Sequence, residues 1–474
     1  MTAEARIAPA AELRLYAHLG GLEFADLAPR TVESAGALVL DHLACAVLGA
    51  RLPWTLALLA TLESAGELAP VGTGTPGAHV LGRPGAVAAT TAALLNGTAA
   101  HGLDLDDTHL PTMSHPGAVI IPAALAAAEI TGADGREFLT AVVAGYEAMG
   151  RIAAATGLGF GEKGFHATGQ VGPMGAAVAA TRLLAGAKGP DGRTGELAGA
   201  VGLAASFGGG IKAFTSGPGA VKRLHAGRAA QAGLFAAMLQ TNGFAGPSAA
   251  VAGKFGFVPT FSTEDAPAYD RLDADLGGRY VVDDVYLKPY AACGAVHGAV
   301  AAAADLAPVP AAAVTRVLVG TSRRALAQNR IPDPADVMSA QYSTEYSVAL
   351  ALLGGAGEPL RYLDAGTGRD AAVRDLAARV VLEVDDRAER SYPAVNEARV
   401  EVHLSNGTRR TARGAVSAAT SGGWAVAEKK FAAVTRDLLP ADRRERLASA
   451  VAALAHGGAP AACTTSWTTP EGAN

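Results

Sequence analysis

Between Asn96 and Pro116 the chain reads NGTAAHGLDLDDTHLPTMSHP, gathering three carboxylates (Asp104, Asp106, Asp107), three histidines (His101, His109, His115), Thr108 and Thr112. Only 18% of the 474 residues are charged and 50% are hydrophobic, and apolar helical sequence flanks this interval on both sides. Buried ionisable groups are costly unless each finds a partner. Imidazoles and carboxylates at this density point to proton transfer, because groups of perturbed acidity collect where protons move. The plainer explanation is a helix end whose Asp and Thr side chains cap the next helix.

The cluster is acidic and could not hold an anion alone, so complementary groups are expected elsewhere. The stretch GLGFGEKGFHATGQVGPMG (157–175) is a glycine-rich loop that sets His166, Thr168 and Gln170 before an Ala-rich helix. It lacks the GKS/T ending of a phosphate-binding loop, and no β-rich run precedes it. Lys212, Lys222, Arg223, His225 and Arg228 form the main cationic stretch. Lys222 and Arg223, at the glycine-flanked start of a long helix, are placed to hold an anion. Further on, YLKPYAACGAVHGAV and SAQYSTEYSVAL carry Lys288, Cys293, His297, Gln341, Ser343 and Tyr346. Cys293 and His297 would make only half of a zinc site, so Cys293 is read as packing and Lys288 as functional.

These residues need a scaffold, and the pattern around them is helical. Apolar residues recur at three- and four-residue spacing over Thr31–Gly49 and Asp134–Arg151, Ala118–Ile130 is a strongly apolar run, and Pro53–Ser64 and Ala86–Leu95 also read as helices. Asn96-Gly97 is the expected stop of the last of these, Pro122 is expected in a first turn, and Cys45 faces the core. From about Phe255 to Arg413 the elements shorten. Val314–Val319, Arg379–Val384 and Arg399–Leu404 read as strands, with a hairpin at Asn406-Gly407 leading into Arg409–Arg413. The expected fold is mainly α: a large all-α domain built from residues 1–265 and 414–474, with a smaller α+β lid domain, 266–413, inserted between.

The formal net charge of −5 offers no basic field for nucleic acid. Three cysteines without a CxxC pair suit a reducing compartment. The N-terminus does not read as a signal peptide, and the apolar stretches break before the roughly 20 residues of a membrane span. A cytoplasmic protein is expected.

In order, HGLDLDDTH…HPG, GFHATG, VKRLHAGRAAQAG, GFAGP, YLKPYAACGAVH and SAQYSTEYSVALALLGG resemble the MmgE/PrpD family over roughly Leu38 to Phe431. That family includes 2-methylcitrate dehydratases, cis-aconitate decarboxylases and iminodisuccinate epimerases. The resemblance implies a homodimer without metal or organic cofactor and a site between the two domains. By motif position the catalytic set falls on Asp104, Thr108, His115, His166, Lys222 and Lys288. Arg223, His101, Gln341 and Tyr346 are expected to bind substrate. The implied activity is a cofactor-independent lyase on a small polycarboxylic acid, with dehydration of a 2-methylcitrate- or citrate-like acid placed ahead of decarboxylation of cis-aconitate. Epimerisation and a non-catalytic binding role are the alternatives. Methylcitrate dehydratases tend to carry Asn within the acidic run, whereas Asp104-Leu105-Asp106-Asp107-Thr108 follows the decarboxylase pattern. An aconitase-type iron–sulfur cluster would need grouped thiolates, which three scattered cysteines do not supply.

Overall fold

The computed structural model describes residues 3–467 apart from 73–75, 187, 216–218, 265–266, 393 and 421. The expected boundary at 265/266 and the chain end beyond 467 lie outside the described residues. The fold is mainly α-helical. Its principal helices are α1 (Ala3–Gly21), α2 (Pro29–Gly49), α3 (Ala89–Ala100), α4 (Gly117–Thr131), α5 (Gly135–Thr156), α6 (Ala167–Leu184), α7 (Val221–Thr241), α8 (His297–Leu306), α9 (Thr344–Leu352), α10 (Trp424–Thr435) and α11 (Ala441–Ala453).

Local chemistry explains several ends. Asp134 caps α5 by accepting from the Arg136 and Glu137 amides, while Glu137 reaches back to the Asp134 amide. Helix α4 begins at Gly117, whose amide donates to Asp107 Oδ1 at 2.9 Å, so Pro122 lies inside the helix rather than in its first turn. Asn96-Gly97 does not stop α3, which runs on to Ala100. Gly97 serves instead as a crossing point: a Cβ there would stand 2.9 Å from Gly227 Cα, and one on Gly227 would collide with Leu94 O and Thr98 Oγ1. Two glycines thus let α3 and α7 touch backbone to backbone.

A four-stranded sheet holds β1 (Val314–Thr321), β2 (Val380–Val384), β3 (Asn396–Leu404) and β4 (Arg409–Val416) in the order β2-β1-β3-β4. β1 and β2 are parallel, and the other neighbours are antiparallel, with β3 and β4 forming the hairpin around Asn406-Gly407. Helix α8 packs on this sheet, where a Cβ on Gly414 would collide with Gly298 O.

Two hydrophobic cores organise the chain. The first unites α1–α7 with Ala427 and Phe431 of α10, Leu447 and Val451 of α11, and Trp467. The second joins the inner faces of the sheet, α8 and α9. Residues 272–287, expected in the inserted segment, supply Leu272, Tyr280, Val282 and Leu287 to the first core, and the chain joins the second from Ala291 onward. Cys45 and Leu48, at the end of α2, and Leu103 and Leu105 reach into the second core, so the acidic interval is held at the seam. Burying a leucine contributes about 1.5–3 kcal/mol, which makes Leu103 and Leu105 firm anchors on either side of Asp104.

Helix α2 corrects one expectation. It is 21 residues long with a window of mean hydropathy 1.4, enough by length and composition to cross a membrane, yet 83% of that window is buried inside the fold. It is a core helix.

Candidate active site

Helix α3 ends at Ala100, and the chain from His101 to Pro116 lines the seam before entering α4. Between its anchors Asp104 adopts φ +53, a left-handed conformation that costs a non-glycine residue about 1 kcal/mol or more. Thr108 pairs with Tyr286 through reciprocal backbone bonds of 3.0 and 3.1 Å, which sets the segment carrying Lys288 alongside. The His115 amide donates to Thr168 Oγ1 at 3.1 Å, docking the other end on the first turn of α6. His166 stands just before α6, and Lys222 lies in the first turn of α7.

These elements converge on one carboxylate oxygen. Lys222 Nζ and Lys288 Nζ lie 2.7 and 2.5 Å from Asp104 Oδ1, and Lys288 also donates to Asp104 O at 2.9 Å. Burial alone would raise the Asp104 pKa, but the Lys222 and Lys288 charges outweigh it and hold the group well below the usual carboxylate range. Burial pulls Lys222 down, opposed by Asp104. The lysines are therefore not free cations awaiting an anion: each already rests on Asp104. Asp104 is the shared counter-ion of both lysines.

Three histidines ring this centre. His115 Nε2 lies 3.8 Å from Asp104 Oδ1, and its Nδ1 lies 3.0 Å from Asp107 O and 3.2 Å from Thr108 Oγ1. A carbonyl only accepts, so Nδ1 carries the hydrogen and Nε2 keeps its lone pair. His101 Nδ1 lies 2.9 and 2.8 Å from the two oxygens of Asp106, while its buried Nε2 has no partner among the described residues. Burial would raise the Asp106 pKa, but His101 beside it holds the carboxylate down, while burial lowers the His101 pKa against the pull of Asp106. His166 Nδ1 lies 3.0 Å from His225 Nδ1. The His115 and His166 pKa values fall well below the ordinary imidazole value through burial first, then the charges of Lys288 on His115 and Lys222 on His166. The neighbouring rings of His101 stand 4.7 and 6.2 Å from those of His115 and His166. The group is closed off, with His101 and Lys288 at 0% exposure and His115 at 8%.

Of the ten residues expected at the site, Asp104, Thr108, His115, His166, Lys222, Lys288 and His101 meet here. The other three do not. Arg223 stacks 3.9 Å over Trp54 and donates to Gly102 O and Gln341 Oε1 at 2.7 and 3.0 Å. Gln341 spends its amide nitrogen on Leu103 O and Ala291 O at 2.5 and 2.8 Å. Both brace the loop from outside, because adjacent helix positions such as Lys222 and Arg223 diverge by about 100°. Tyr346 is buried in the second core with its ring 6.0 Å from that of Tyr362, and its hydroxyl has no partner among the described residues. Cys293 packs with Phe214, Met338 and Tyr342, whereas His297 Nε2 bonds Ala292 O at 3.0 Å, so they share no ligand site.

Asp107 accepts from Gly117 N and from Tyr146 Oη at 2.9 and 2.8 Å, as a buried support, and burial with Asp106 and Asp41 nearby pushes its pKa up to about 8. Sequence reasoning counted His225 only within the cationic stretch and gave no place at the site to it, to Tyr146 or to the Asp41–Lys430 pair. Lys430 of α10 lies 2.5 Å from Asp41 Oδ1 and donates to Leu105 O at 2.6 Å. His225 carried a usable signal: three residues beyond Lys222, it shares that helix face.

His101, Asp104, Asp106 and His115 offer ligand atoms within 4.8 Å of one another, a spacing a metal ion could use. The two ammonium groups on Asp104 Oδ1 argue against it, since a divalent cation there would face both at close range.

A family model described as the MmgE/PrpD N-terminal domain matches residues 14–270, and one described as the MmgE/PrpD C-terminal domain matches 290–456. The chain is similar to a cis-aconitate decarboxylase-like protein of Aspergillus oryzae, 29% identical over 294 residues, 59% of this chain and 58% of that one. It is 30% identical to a cis-aconitate decarboxylase of Aspergillus terreus over 295 residues, 59% and 57% of the two chains. With the human cis-aconitate decarboxylase it shares 27% over 385 residues, 77% and 74%. The match spans less than two thirds of the fungal relatives' length.

Proposed function

The chain belongs to the MmgE/PrpD family, and we propose that it is a cofactor-independent lyase that removes carbon dioxide from cis-aconitate or a similar small unsaturated polycarboxylic acid. The observation that carries the reading is the paired ammonium groups of Lys222 and Lys288 on Asp104, with His115 Nε2 3.8 Å from the same oxygen and His101 Nε2 buried without a partner among the described residues. Decarboxylation is favoured over the dehydration expected first from the sequence, because the curated relatives above are named as cis-aconitate decarboxylases or decarboxylase-like.

The substrate's carboxylates would compete with Asp104 for Lys222 and Lys288, and charge-assisted bonds in a site without bulk water orient the C–CO₂ bond that breaks. The electrons left on carbon are quenched by a proton. His115 and His166, neutral in the empty site, gain basicity when carboxylates enter beside them, and one imidazolium then supplies that proton. His101, with Asp106 behind it, is a third imidazole of the same kind, and Thr108 steadies His115. Because the site is buried, the α+β segment is assigned the part of a lid that opens for entry and shuts out water during reaction. A homodimer in the cytoplasm is the proposed state. The stacked, partly exposed Phe207 and Phe235 offer an apolar face for a second copy.

Incubation of chelator-treated protein with cis-aconitate, citrate, 2-methylcitrate and iminodisuccinate, with products identified by NMR and carbon dioxide measured, tests this. Release of carbon dioxide from cis-aconitate is expected. Loss of water from citrate or 2-methylcitrate without carbon dioxide, epimerised iminodisuccinate, or activity that chelation abolishes would replace the proposal.

A further inference from the structure

The histidines of the site share a pattern. His115 Nδ1 is spent on Asp107 O and His101 Nδ1 on Asp106, so each points its other ring nitrogen elsewhere. Among the described residues, His166 has no carboxylate or carbonyl hydrogen-bonded to its ring. Its Nδ1 meets the Nδ1 of His225 at 3.0 Å, and a bond between two ring nitrogens needs one donor and one acceptor.

His225 is held for that meeting. Gly210, at φ +118, lies so close that a Cβ there would stand 3.0 Å from His225 Nδ1, and the Gly210 carbonyl accepts from the His166 amide at 3.1 Å. Phe214 packs edge-on against both rings, at 5.4 Å from His166 and 6.0 Å from His225. On its other side His225 borders a groove of about 690 Å³ that is also lined by Gly169, Gly209 and Arg228.

We propose that His225 is the positioning residue of His166: its Nδ1 accepts the His166 Nδ1 hydrogen, which fixes His166 in the tautomer whose Nε2 serves the site. The inference rests on the reading of His166 as a proton-carrying group. The acceptor role requires a neutral His225. Burial, then the neighbouring His101 and Lys222, lowers its pKa to about 4, so it stays unprotonated near neutral pH. His166 toggles between Nδ1–H imidazole and imidazolium, taking and giving one proton at Nε2, and the bond to His225 persists in both forms. The charged and titratable groups around His166 are Lys222 and His225 from α7 and His101 and His115 from the acidic loop.

The test compares wild type, His225→Leu and His225→Asn in the full chain. Ring-nitrogen NMR of ¹⁵N-histidine protein, with the His166 signals assigned through His166→Gln, is expected to show hydrogen on Nδ1 and a bare Nε2 in wild type. Leu, which cannot accept, is expected to abolish that preference and lower kcat for carbon dioxide release by about 10-fold or more at unchanged KM. It should also shift the pH limb governed by His166 protonation to lower pH, because an acceptor on Nδ1 favours imidazolium. Asn, whose Oδ1 accepts, is expected to restore most of the rate. Hydrogen on His166 Nε2 in wild type would overturn the proposal, as would a Leu variant with wild-type kcat and pH limb. The wild-type spectrum decides even if the Leu variant folds poorly. A wild type that releases no carbon dioxide defeats the lyase reading, and the spectrum still tests the pairing.

Discussion

At Asp104 one oxygen takes two ammonium groups, and the residue does so from a left-handed backbone conformation. Removing its charge leaves Lys222 and Lys288 buried and facing each other. Asp104→Asn is therefore expected to lower stability by about 3–5 kcal/mol, the range for a broken buried ion pair, measurable by denaturant titration. Lys222→Met should lower kcat for the proposed reaction by about 10²-fold or more, as loss of a charge-stabilising donor does. Asp107 works in the opposite sense. Its folded pKa of about 8 lies above its ordinary value of 3.8, so the folded state keeps a proton that the unfolded chain gives up first. Stability tied to it falls as pH rises from about 4 to 8, and Asp107→Asn is expected to flatten the melting temperature across that window. Much of this scale was legible. Density of Asp and His marked the loop, and glycine-bounded His166 and the two lysines stood out as complements. Arg223, Gln341 and Tyr346 misled because residue type and neighbourhood do not tell which way a side chain points. Arg223 is turned onto Trp54.

Among the elements, α10 does more than close the first core. Its Lys430 reaches Asp41 on α2 and the Leu105 carbonyl beside Asp104, so a helix from the far end of the chain braces the acidic loop from behind. Lys430→Met strands the Asp41 charge in the core, and chemical denaturation should register a loss of about 3–5 kcal/mol. Adding Asp41→Asn to that variant should return most of it, because the uncompensated charge is then gone. If the double variant is no more stable than the single one, the brace is not electrostatic. Helix and strand positions were readable from periodicity: the hairpin at Asn406-Gly407 and the cap at Asp134 are local chemistry. The run of α3 through Asn96-Gly97 was not, since a glycine that ends a helix and one that admits another helix look alike until the partner, Gly227 on α7, is in place.

On the scale of the whole molecule, the two cores meet at the loop that holds the charged groups, and the buried histidines make that union acid-sensitive. Burial lowers His42 and His109 to about 4 and His297 to about 3, all below the ordinary value of 6.5. The unfolded chain then takes up protons before the folded one as pH falls. The stability these groups contribute is complete above about 6.5 and is lost progressively toward 4 and below. Several histidines outweigh the opposing trend of Asp107, so the melting temperature should drop between pH 6.5 and 4.5. Sequence pattern foretold a mainly helical fold with a β-bearing segment. It did not foretell that residues 272–287 pack with the first core, because short irregular stretches carry no periodicity to assign them. The central claim, that this enclosed set of lysines and histidines exchanges a carboxylate for a proton without a bound metal, is tested most directly in deuterium oxide. Chelator-treated protein given cis-aconitate there is predicted to release one carbon dioxide and place one solvent deuterium on carbon per turnover. Deuterium exchange or water loss with no carbon dioxide released would contradict it.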